Sequence, residues 1–436
     1  NDNENLGARG AEGASAFEQT TLYFDELQGA IYARMVQKVG SRRYWEQWAK
    51  SVGEIATRQK ERILSLIENS PKHKKEFEKF LKGLRKSINP SIEQADAVDM
   101  LSQHIITKPV FEALFEGYSF AKNNAMSQSM QKMLDLLEEE TIEEDAKTLE
   151  SFYESVKMRA SGIDNSDGKQ KIIIELYDKF FKTAFPKMVE QLGIVYTPIE
   201  VVDFIVNSVA DVLQKEFGRS ISDENVHILD PFTGTGTFIT RLLQSGRISR
   251  EDLERKYKKE IHANEIVLLA YYIASVNIEN VFHDMMEDAS VFQPFDGICL
   301  TDTFQLGETK EGEVLFDEMF PQNSKRVQQQ KKTPLRIIMG NPPYSIGQKS
   351  ANDNAQNQSY PKLDKRISET YVAQAITTMN KANYDAYLRA FRWSTDRLDP
   401  KNGGIVCFVS NGAWLDGNTT AGFRKSIEKE FTSIYV

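Results

Sequence analysis

The tetrapeptide Asn341-Pro342-Pro343-Tyr344 combines an amide, two prolines and an aromatic ring directly after a short apolar run. The run, residues 335–340, predicts a buried strand that ends where the tetrapeptide begins. Because proline fixes φ and has no amide hydrogen, the backbone cannot continue a β-ladder there, and its carbonyl groups point away from the sheet. The Asn341 side chain and the Pro342 carbonyl can accept hydrogen bonds from an amino group, and Tyr344 can stack on a planar ring.

Such a set of groups suits the transfer of a chemical group to an exocyclic amine. Two acceptors draw the amine lone pair out of conjugation, and they stabilise the positive charge that develops as the nitrogen attacks an electrophile. The same four residues also fit an ordinary proline turn between a strand and a loop. The tetrapeptide alone leaves both interpretations open.

A glycine-rich turn forms a second candidate site. The apolar residues 226–229 predict a strand, and the nine residues from Asp230 to Phe238 then read Asp-Pro-Phe-Thr-Gly-Thr-Gly-Thr-Phe before a predicted helix at 239–243. Glycines between a strand and a helix let the backbone approach a ligand and direct free amide groups at it. The spacing matches neither the dinucleotide fingerprint nor the phosphate-binding P-loop.

Acidic residues close two further predicted strands. Residues 261–265 end at Glu265, where a doubly wound sheet places a ribose-binding carboxylate, and residues 297–304 contain Asp302 and Phe304. Either acid alone could cap a helix or lie in a loop. Four successive strand ends with ligand-type residues favour one site along the carboxyl edge of a parallel sheet.

Strands and helices alternate throughout the second half of the chain. This pattern predicts an α/β fold, a doubly wound, Rossmann-like parallel sheet with helices on both faces. The later predicted elements are a helix at 384–398, a strand at 405–409, a helix at 422–429 and a last strand at 432–436. The polar segment 345–368 is too long for an ordinary connection.

The first 191 residues have a different character. Residues 1–16 are predicted to be disordered, and residues 17–191 predict seven or eight helices with no strand. Basic residues outnumber acidic ones between Arg34 and Arg85, which fits a solvated helix face or a surface that contacts phosphates. The prominent ones are Arg42, Arg43, Lys72, Lys74, Lys75, Lys79 and Lys82.

Composition limits the possible classes of protein. With 436 residues and 40% apolar content, the chain can form two or three domains, and no apolar run is long enough to predict a membrane span. The two cysteines lie in apolar contexts that predict buried thiols rather than a disulfide or metal site, which fits a reducing cytoplasm. A net charge of -9 argues against a basic coat for nucleic acid but allows local basic surfaces. The chain begins with Asn1, which suggests a piece of a longer polypeptide.

The ordered motifs resemble those of S-adenosylmethionine-dependent DNA adenine-N6 methyltransferases. The resemblance rests on residues 230–236, Asn-Glu at 264–265, Asp302 and Gly-Asn-Pro-Pro-Tyr at 340–344. Tyr196-Thr197-Pro198, ahead of the glycine turn, is similar to the gamma class, which includes the modification subunits of type I restriction systems. Residues 341–371, with the segments 350–354 and 360–364, look closer still to type ISP restriction-modification enzymes. In those enzymes a nuclease, translocase, helical coupler, methyltransferase and target recognition domain share one polypeptide.

This resemblance implies S-adenosylmethionine as the cofactor and no metal. Glu265 would hold the ribose hydroxyls of the cofactor, and Asp302 with Phe304 would engage its adenine. The residues implied around its methionine portion are Tyr196, Thr197, Pro198, Asp230, Phe232, Gly234 and Gly236.

Double-stranded DNA is the implied substrate. Asn341, Pro342, Pro343 and Tyr344 would hold the target adenine, which must flip out of the duplex because its amine is otherwise base-paired. Asparagine at the first position favours adenine, because the cytosine-N4 enzymes usually carry serine there. Residues 345–368 would then contact DNA or form a disordered insertion, and phosphate contacts are predicted for Lys325, Arg326, Lys331 and Lys332.

The implied organisation is a disordered segment at 1–16, a coupler-like domain at 17–191 and a methyltransferase domain at 192–436. The last would end before its final sheet strand and the target recognition domain expected in the gamma class. No Walker-type lysine loop or nuclease constellation precedes residue 190, so the translocase and nuclease would lie outside this chain. Two alternatives remain open: a protein glutamine methyltransferase, which also uses Asn-Pro-Pro-Tyr, and a non-catalytic DNA-binding coupling module.

Overall fold

A computed structural model describes residues 42–114, 120–137, 154, 197–286, 292–308, 318–344, 360–375 and 381–436. The segment predicted to be disordered, the helices predicted before residue 42 and the predicted domain boundary at 191 lie outside these ranges. Tyr196 and most of the polar segment 345–368 lie outside them as well. Within the described part, no helix is both long enough and apolar enough to cross a membrane.

The described residues before 197 form helices and contain no strand, as predicted. The helix Pro71–Ser87 begins after Ser70, whose side chain accepts a hydrogen bond from the His73 amide and satisfies one of the free groups of the first turn. Its buried residues Phe77, Phe80 and Leu84 recur at helical spacing and form one apolar face. The five helices are α1 (Arg42–Asn69), α2 (Pro71–Ser87), α3 (Gln94–Leu114), α4 (Phe120–Asn123) and α5 (Ala125–Leu137).

From residue 197 onward, the described residues form a parallel sheet with helices between its strands. The five strands are β1 (His227–Asp230), β2 (Ile261–Glu265), β3 (Ile298–Leu300), β4 (Leu335–Gly340) and β5 (Ile405–Phe408). All four pairings are parallel, and the strand order is β3-β2-β1-β4-β5. Because the order reverses between β1 and β4, a crevice opens at their carboxyl ends. The predicted doubly wound sheet is confirmed.

Within the described residues, ten α-helices accompany the sheet. The first five are α6 (Ile199–Phe217), α7 (Thr237–Gln244), α8 (Arg250–Arg255), α9 (Leu268–Met285) and α10 (Thr303–Glu308). They are followed by α11 (Pro321–Lys332), α12 (Pro361–Ile367), α13 (Ala386–Arg397), α14 (Ala413–Asp416) and α15 (Ala421–Glu430).

The segments 361–367 and 432–436 differ from their sequence-based predictions. Helix α12 begins at Pro361, which fits the first helical turn, although this segment was predicted to be loop. The strand predicted at 432–436 is wrong, since these residues pair with no strand. Instead the Tyr435 hydroxyl donates a hydrogen bond to Glu216 of α6, and the neighbouring Ile434 and Val436 are exposed.

The two faces of the sheet belong to two apolar cores. Ile228 and Ile337 point into the first core, and the next residues in each strand, Leu229 and Ile338, point into the second. This alternation follows from the pleat of a β-strand. The first core continues without a break into the N-terminal helices, where it includes Phe80. The helical region and the sheet therefore share one hydrophobic core.

Aromatic side chains join the helical region to the rest of the molecule. The rings of Phe80 and Phe320 lie 5.5 Å apart, and those of Phe111 and Tyr272 lie 6.2 Å apart in an edge-to-face arrangement. The Tyr272 hydroxyl is within 3.0 Å of His104 Nδ1. Burial of aromatic rings is a large contribution to the stability of an interface, so this contact fixes the two parts together.

We expect Phe80→Ala to lower the stability of the whole described fold by about 3 to 5 kcal/mol, because it removes a buried ring from the shared core. The matched control is Phe204→Ala, since the Phe204 side chain is 72% exposed and should contribute little. Thermal unfolding would measure both variants. Equal melting temperatures for Phe80→Ala and the parental chain would contradict the shared core.

Candidate active site

Residues from four strand ends meet at the crevice between β1 and β4. Asp230 and Glu265 are the last residues of their strands, Asp302 follows β3 by two residues, and Asn341 directly follows β4. The sequence predicted this convergence. Two hydrogen bonds hold the ends of β1, β2 and β3 together. The Thr303 hydroxyl donates to the Pro231 carbonyl at 2.6 Å and accepts from the Asn264 side chain at 3.3 Å.

Hydrogen bonds to β2 and α9 hold the glycine turn in place at the carboxyl end of β1. The Thr233 amide donates to the Asn264 carbonyl, and the Asn277 side chain donates to the Thr235 carbonyl at 3.0 Å. Gly236 has φ of 88°, and a Cβ added there would lie 3.2 Å from the Ala274 Cα on α9. Both facts require glycine, because a side chain would be strained and would press against the helix.

Glu265 is tied to the glycine turn. Its Oε2 accepts a hydrogen bond from the Gly234 amide at 2.8 Å, and its Oε1 accepts from the amides of Ile266 and Val267. Burial raises the pKa of Glu265 to about 7, although these three amides favour the ionised form. The carboxyl is therefore poised between its neutral and charged states near neutral pH.

Asp230 is fully buried at the end of β1. Its Oδ1 accepts from the Phe232 amide at 3.1 Å, while Oδ2 has no hydrogen-bond partner among the described residues. Burial raises the pKa of Asp230 to about 8, and the nearby charge of Glu265 adds to the shift. A Cβ on Gly340 would lie 2.6 Å from Asp230 Oδ1, so β4 can lie this close only with glycine at that position.

Asp302 has donors on both carboxylate oxygens. Oδ1 accepts from the Phe304 amide at 2.9 Å and the Gln305 amide at 3.4 Å, which caps α10. Oδ2 accepts from the Tyr360 hydroxyl at 2.8 Å and from the Asn89 side chain at 2.5 Å. Burial raises the pKa of Asp302, and these four donors oppose that shift.

An aromatic cluster lies beside these acids. The Phe304 ring is 5.5 Å from Phe232 and 5.3 Å from Tyr360, and Phe232 is 6.3 Å from Phe408. Phe304 was predicted from sequence to engage the cofactor's adenine together with Asp302, and the structure places its ring beside Phe232. Flat apolar surfaces next to a hydrogen-bonding acid suit a planar heterocycle.

The Asn-Pro-Pro-Tyr turn lies on the other side of Gly340. The Asn341 side-chain nitrogen donates to the Thr197 hydroxyl at 3.1 Å, which directs its amide oxygen the opposite way. The Tyr344 hydroxyl is 2.9 Å from the Val409 carbonyl and 3.2 Å from Asn341 Oδ1. Its ring lies 5.9 Å from the Tyr387 ring. Pro342 is buried and Pro343 is exposed, as the end of a strand turning outward requires.

Three predicted residues ahead of the glycine turn have different outcomes. Thr197 lies against Asn341, so it belongs to the same site. Pro198 is exposed at the start of α6, and no described contact links it to the glycine turn. Tyr196 is outside the described residues.

Several residues at the site were not predicted from sequence. Asn89 and Tyr360 bind Asp302, and Thr303 joins the ends of β1 and β2. Asn89 lies 213 positions from Asp302. No local pattern reveals such a contact, and Asn89-Pro90 reads only as a helix boundary.

One of the predicted phosphate contacts is wrong. The Arg326 side chain is 10% exposed and forms an ion pair with Asp296, because the guanidinium is turned inward against β3. On α2, by contrast, Lys72, Lys74, Lys75, Lys79 and Lys82 are exposed, as expected for a solvated face. Whether this basic face contacts phosphates stays a prediction.

Comparison with known families identifies the class of this fold and site. Residues 168–431 match the N-6 DNA Methylase family, and residues 44–168 match the coupler domain of type ISP restriction-modification enzymes. The first match covers more than half of the chain, so the chain belongs to the N-6 DNA methylase family. The resemblance to type ISP enzymes is confirmed by the coupler match and by solved structures. A comparison with curated proteins found no significant match.

Three solved structures are similar over nearly the whole chain. A nuclease-deletion mutant of the type ISP enzyme LlaGI, in complex with a DNA substrate mimic, is 49% identical over 94% of this chain, with a TM-score of 0.84. The ATP-dependent type ISP enzyme LlaBIII bound to DNA is 48% identical over 93%, with a TM-score of 0.84. A DrdV-DNA complex is 34% identical over 91%, with a TM-score of 0.80. This chain spans 33%, 27% and 38% of those three chains.

Because burial raises the pKa of the acids at the site, we predict that the protein loses stability as pH rises. The pKa of Glu265 in the folded state, about 7, exceeds its ordinary value of 4.5, so its contribution is complete below pH 4.5 and is lost as pH rises through 7. Such a shift corresponds to roughly 3 kcal/mol. We therefore expect the melting temperature to fall between pH 5 and pH 8, and to fall less in Glu265→Gln.

The matched control is Glu428→Gln, which changes an exposed glutamate on α15 and should keep the parental pH dependence. Scanning calorimetry in buffers of equal ionic strength would give the comparison. An identical slope in Glu265→Gln and the parental chain would show that Glu265 does not carry this effect.

Proposed function

We propose that this chain transfers a methyl group from S-adenosylmethionine to N6 of a flipped adenine in DNA. In this proposal residues 17–191 form the coupler-like domain and residues 192–436 the methyltransferase domain of a longer restriction-modification enzyme. The main observation behind this proposal is the Asn-Pro-Pro-Tyr turn at the carboxyl end of β4. There the Asn341 amide is hydrogen-bonded to Thr197 beside the crevice. Membership in the N-6 DNA methylase family supports the reaction type.

The acids and aromatic rings of the crevice fit the proposed cofactor. Asp230 Oδ2 is a buried acceptor with no partner among the described residues, which suits a positively charged or hydrogen-bonding group of a ligand. Glu265 would hold ribose hydroxyls, and Asp302 would receive the adenine amine, with Phe304 and Phe232 against the ring. When bound, S-adenosylmethionine supplies a methyl group on a positively charged sulfur.

The chain's own residues would prepare the target amine for attack. The Asn341 side-chain nitrogen is paired with the Thr197 hydroxyl, so Oδ1 is the atom that would accept from the amine. The Tyr344 hydroxyl has one hydrogen, and the shorter of its two contacts is with the Val409 carbonyl, which leaves Asn341 Oδ1 available. The Pro342 carbonyl would be the second acceptor. Together they would stabilise the charge that develops on nitrogen.

DNA is favoured over a glutamine side chain as the substrate. LlaGI and LlaBIII are described as bound to a DNA substrate mimic and to DNA, respectively, and each is nearly half identical to this chain. The coupler match supports a link to restriction-modification and speaks against a free-standing protein methyltransferase. An asparagine at position 341 supports adenine over cytosine as the target base.

We expect Asn341→Ala to reduce methyl transfer to DNA by about 100-fold or more, because its acceptor matters most as charge develops on the amine. The affinity for the cofactor should change little. Transfer of labelled methyl groups to DNA, with N6-methyladenine identified after digestion, gives the rate, and calorimetry gives the affinity.

Asn402→Ala is the matched control, since Asn402 is an exposed asparagine at the opposite end of the sheet. It should methylate DNA at the parental rate. Parental activity in Asn341→Ala would refute the catalytic role, and labelling of glutamine in protein substrates instead of adenine in DNA would refute the substrate class.

A further inference from the structure

The end of α2 runs along the end of β3 and contacts Thr301 and Asp302, which follow that strand. Three consecutive residues make the contact. The Thr301 hydroxyl approaches the Ser87 carbonyl at 3.5 Å, the Asp302 amide donates to the Ile88 carbonyl at 3.4 Å, and the Asn89 side chain donates to Asp302 Oδ2 at 2.5 Å. All of these groups are buried. The helical region therefore reaches the acid that is proposed to bind the cofactor's adenine.

The Asn89 side chain has only one possible orientation. Its Oδ1 accepts from both the amide and the hydroxyl of Ser91, at 2.8 and 2.7 Å. The amide nitrogen must then point at Asp302, and an exchanged orientation would place two acceptors against each other. Asn89 is thus a rigid donor, and its position is set by the turn between α2 and α3.

Tyr360 is the other donor to Asp302 Oδ2, through a hydroxyl group. Its hydroxyl reaches Asp302 at 2.8 Å, and rotation about one C–O bond is enough to withdraw the hydrogen. A carboxylate has about four acceptor positions, and the protein uses all four at Asp302. An adenine amine can therefore bind Asp302 only if one protein donor gives way.

We propose that Asn89 is a positioning residue of the cofactor site and that the Tyr360 hydroxyl is the donor that yields its place to the adenine amine. Asn89 holds the Asp302 carboxylate in its orientation and favours its ionised form, so the helical region takes part in selecting adenine. This inference rests on the proposed function, because it assumes that Asp302 binds the cofactor's adenine.

The test compares two ligands that differ at the purine amine. S-adenosylhomocysteine carries the amine, and S-inosylhomocysteine carries an oxygen in its place. Isothermal calorimetry with the full chain measures the affinities. We expect Asn89→Ala to weaken binding of the adenine ligand by about 10-fold, which corresponds to the loss of one hydrogen bond to a charged group. The inosine ligand should bind as it does to the parental chain. An equal loss of affinity for both ligands would show that Asn89 has only a structural role, and it would overturn the proposal.

The Tyr360→Phe variant tests the exchange. It leaves one acceptor position of Asp302 without a protein donor, so the adenine ligand should bind several-fold more tightly, with no change for the inosine ligand. Weakened binding of the adenine ligand would overturn the exchange. Gln322→Ala is the matched control, because Gln322 also donates to the helical region, at Gln128, but does not touch Asp302. It should bind both ligands like the parental chain.

Asp302→Asn separates this inference from the proposed function. If Asp302→Asn keeps the parental preference for adenine over inosine, Asp302 does not read the amine and the proposed cofactor site is wrong. If Asp302→Asn loses that preference while Asn89→Ala keeps it, the cofactor site stands and only the role of Asn89 fails.

Discussion

The close approach of β1 and β4 at their carboxyl ends is the constraint on which the site depends. Gly340 lies so near Asp230 that a single methyl group would collide with the carboxylate. This contact brings the glycine turn after β1 next to the Asn-Pro-Pro-Tyr turn after β4. The methyl donor and the acceptor amine are proposed to bind at these two turns, so the strand pairing itself sets their separation.

Burial of carboxyl groups is the second requirement of the site. Asp230, Glu265 and Asp302 lie at neighbouring strand ends, and burial raises the pKa of each. They differ in the donors that the protein supplies. Asp302 has four, Glu265 has three, and Asp230 has one, so the need for a ligand donor is greatest at Asp230. A site that lacks donors in this way is prepared for a ligand at the expense of stability in its absence.

The chemical groups at the strand ends were predicted from sequence, but the distant residues that contact and position them were not. Gly236, Glu265 and Asn341 belong to short motifs in which residue type and neighbours determine the local structure, so their convergence was predicted. The contacts of Asn89 and Tyr360 with Asp302 depend on the packing of distant segments, which no periodicity reveals. The strand predicted at 432–436 failed for a similar reason, since β-propensity alone cannot supply a partner strand.

The polar segment 345–368 shows a related limit. Its composition predicted a loop, but Pro361 begins a helix, and Asp364 in that helix pairs with Arg389. A proline placed at the first turn of a helix can be mistaken for a loop residue when the surrounding residues are polar.

The shared core between the helical region and the sheet has a consequence for synthesis on the ribosome. The helices carrying Phe80 and Phe111 emerge first, while their partners Tyr272 and Phe320 are added much later. Until then the nascent helices expose an apolar face that has no partner, which is a state prone to aggregation and a substrate for chaperones. Folding of the N-terminal region is therefore tied to translation of the sheet, and a chain that stalls before Tyr272 would leave that face uncovered.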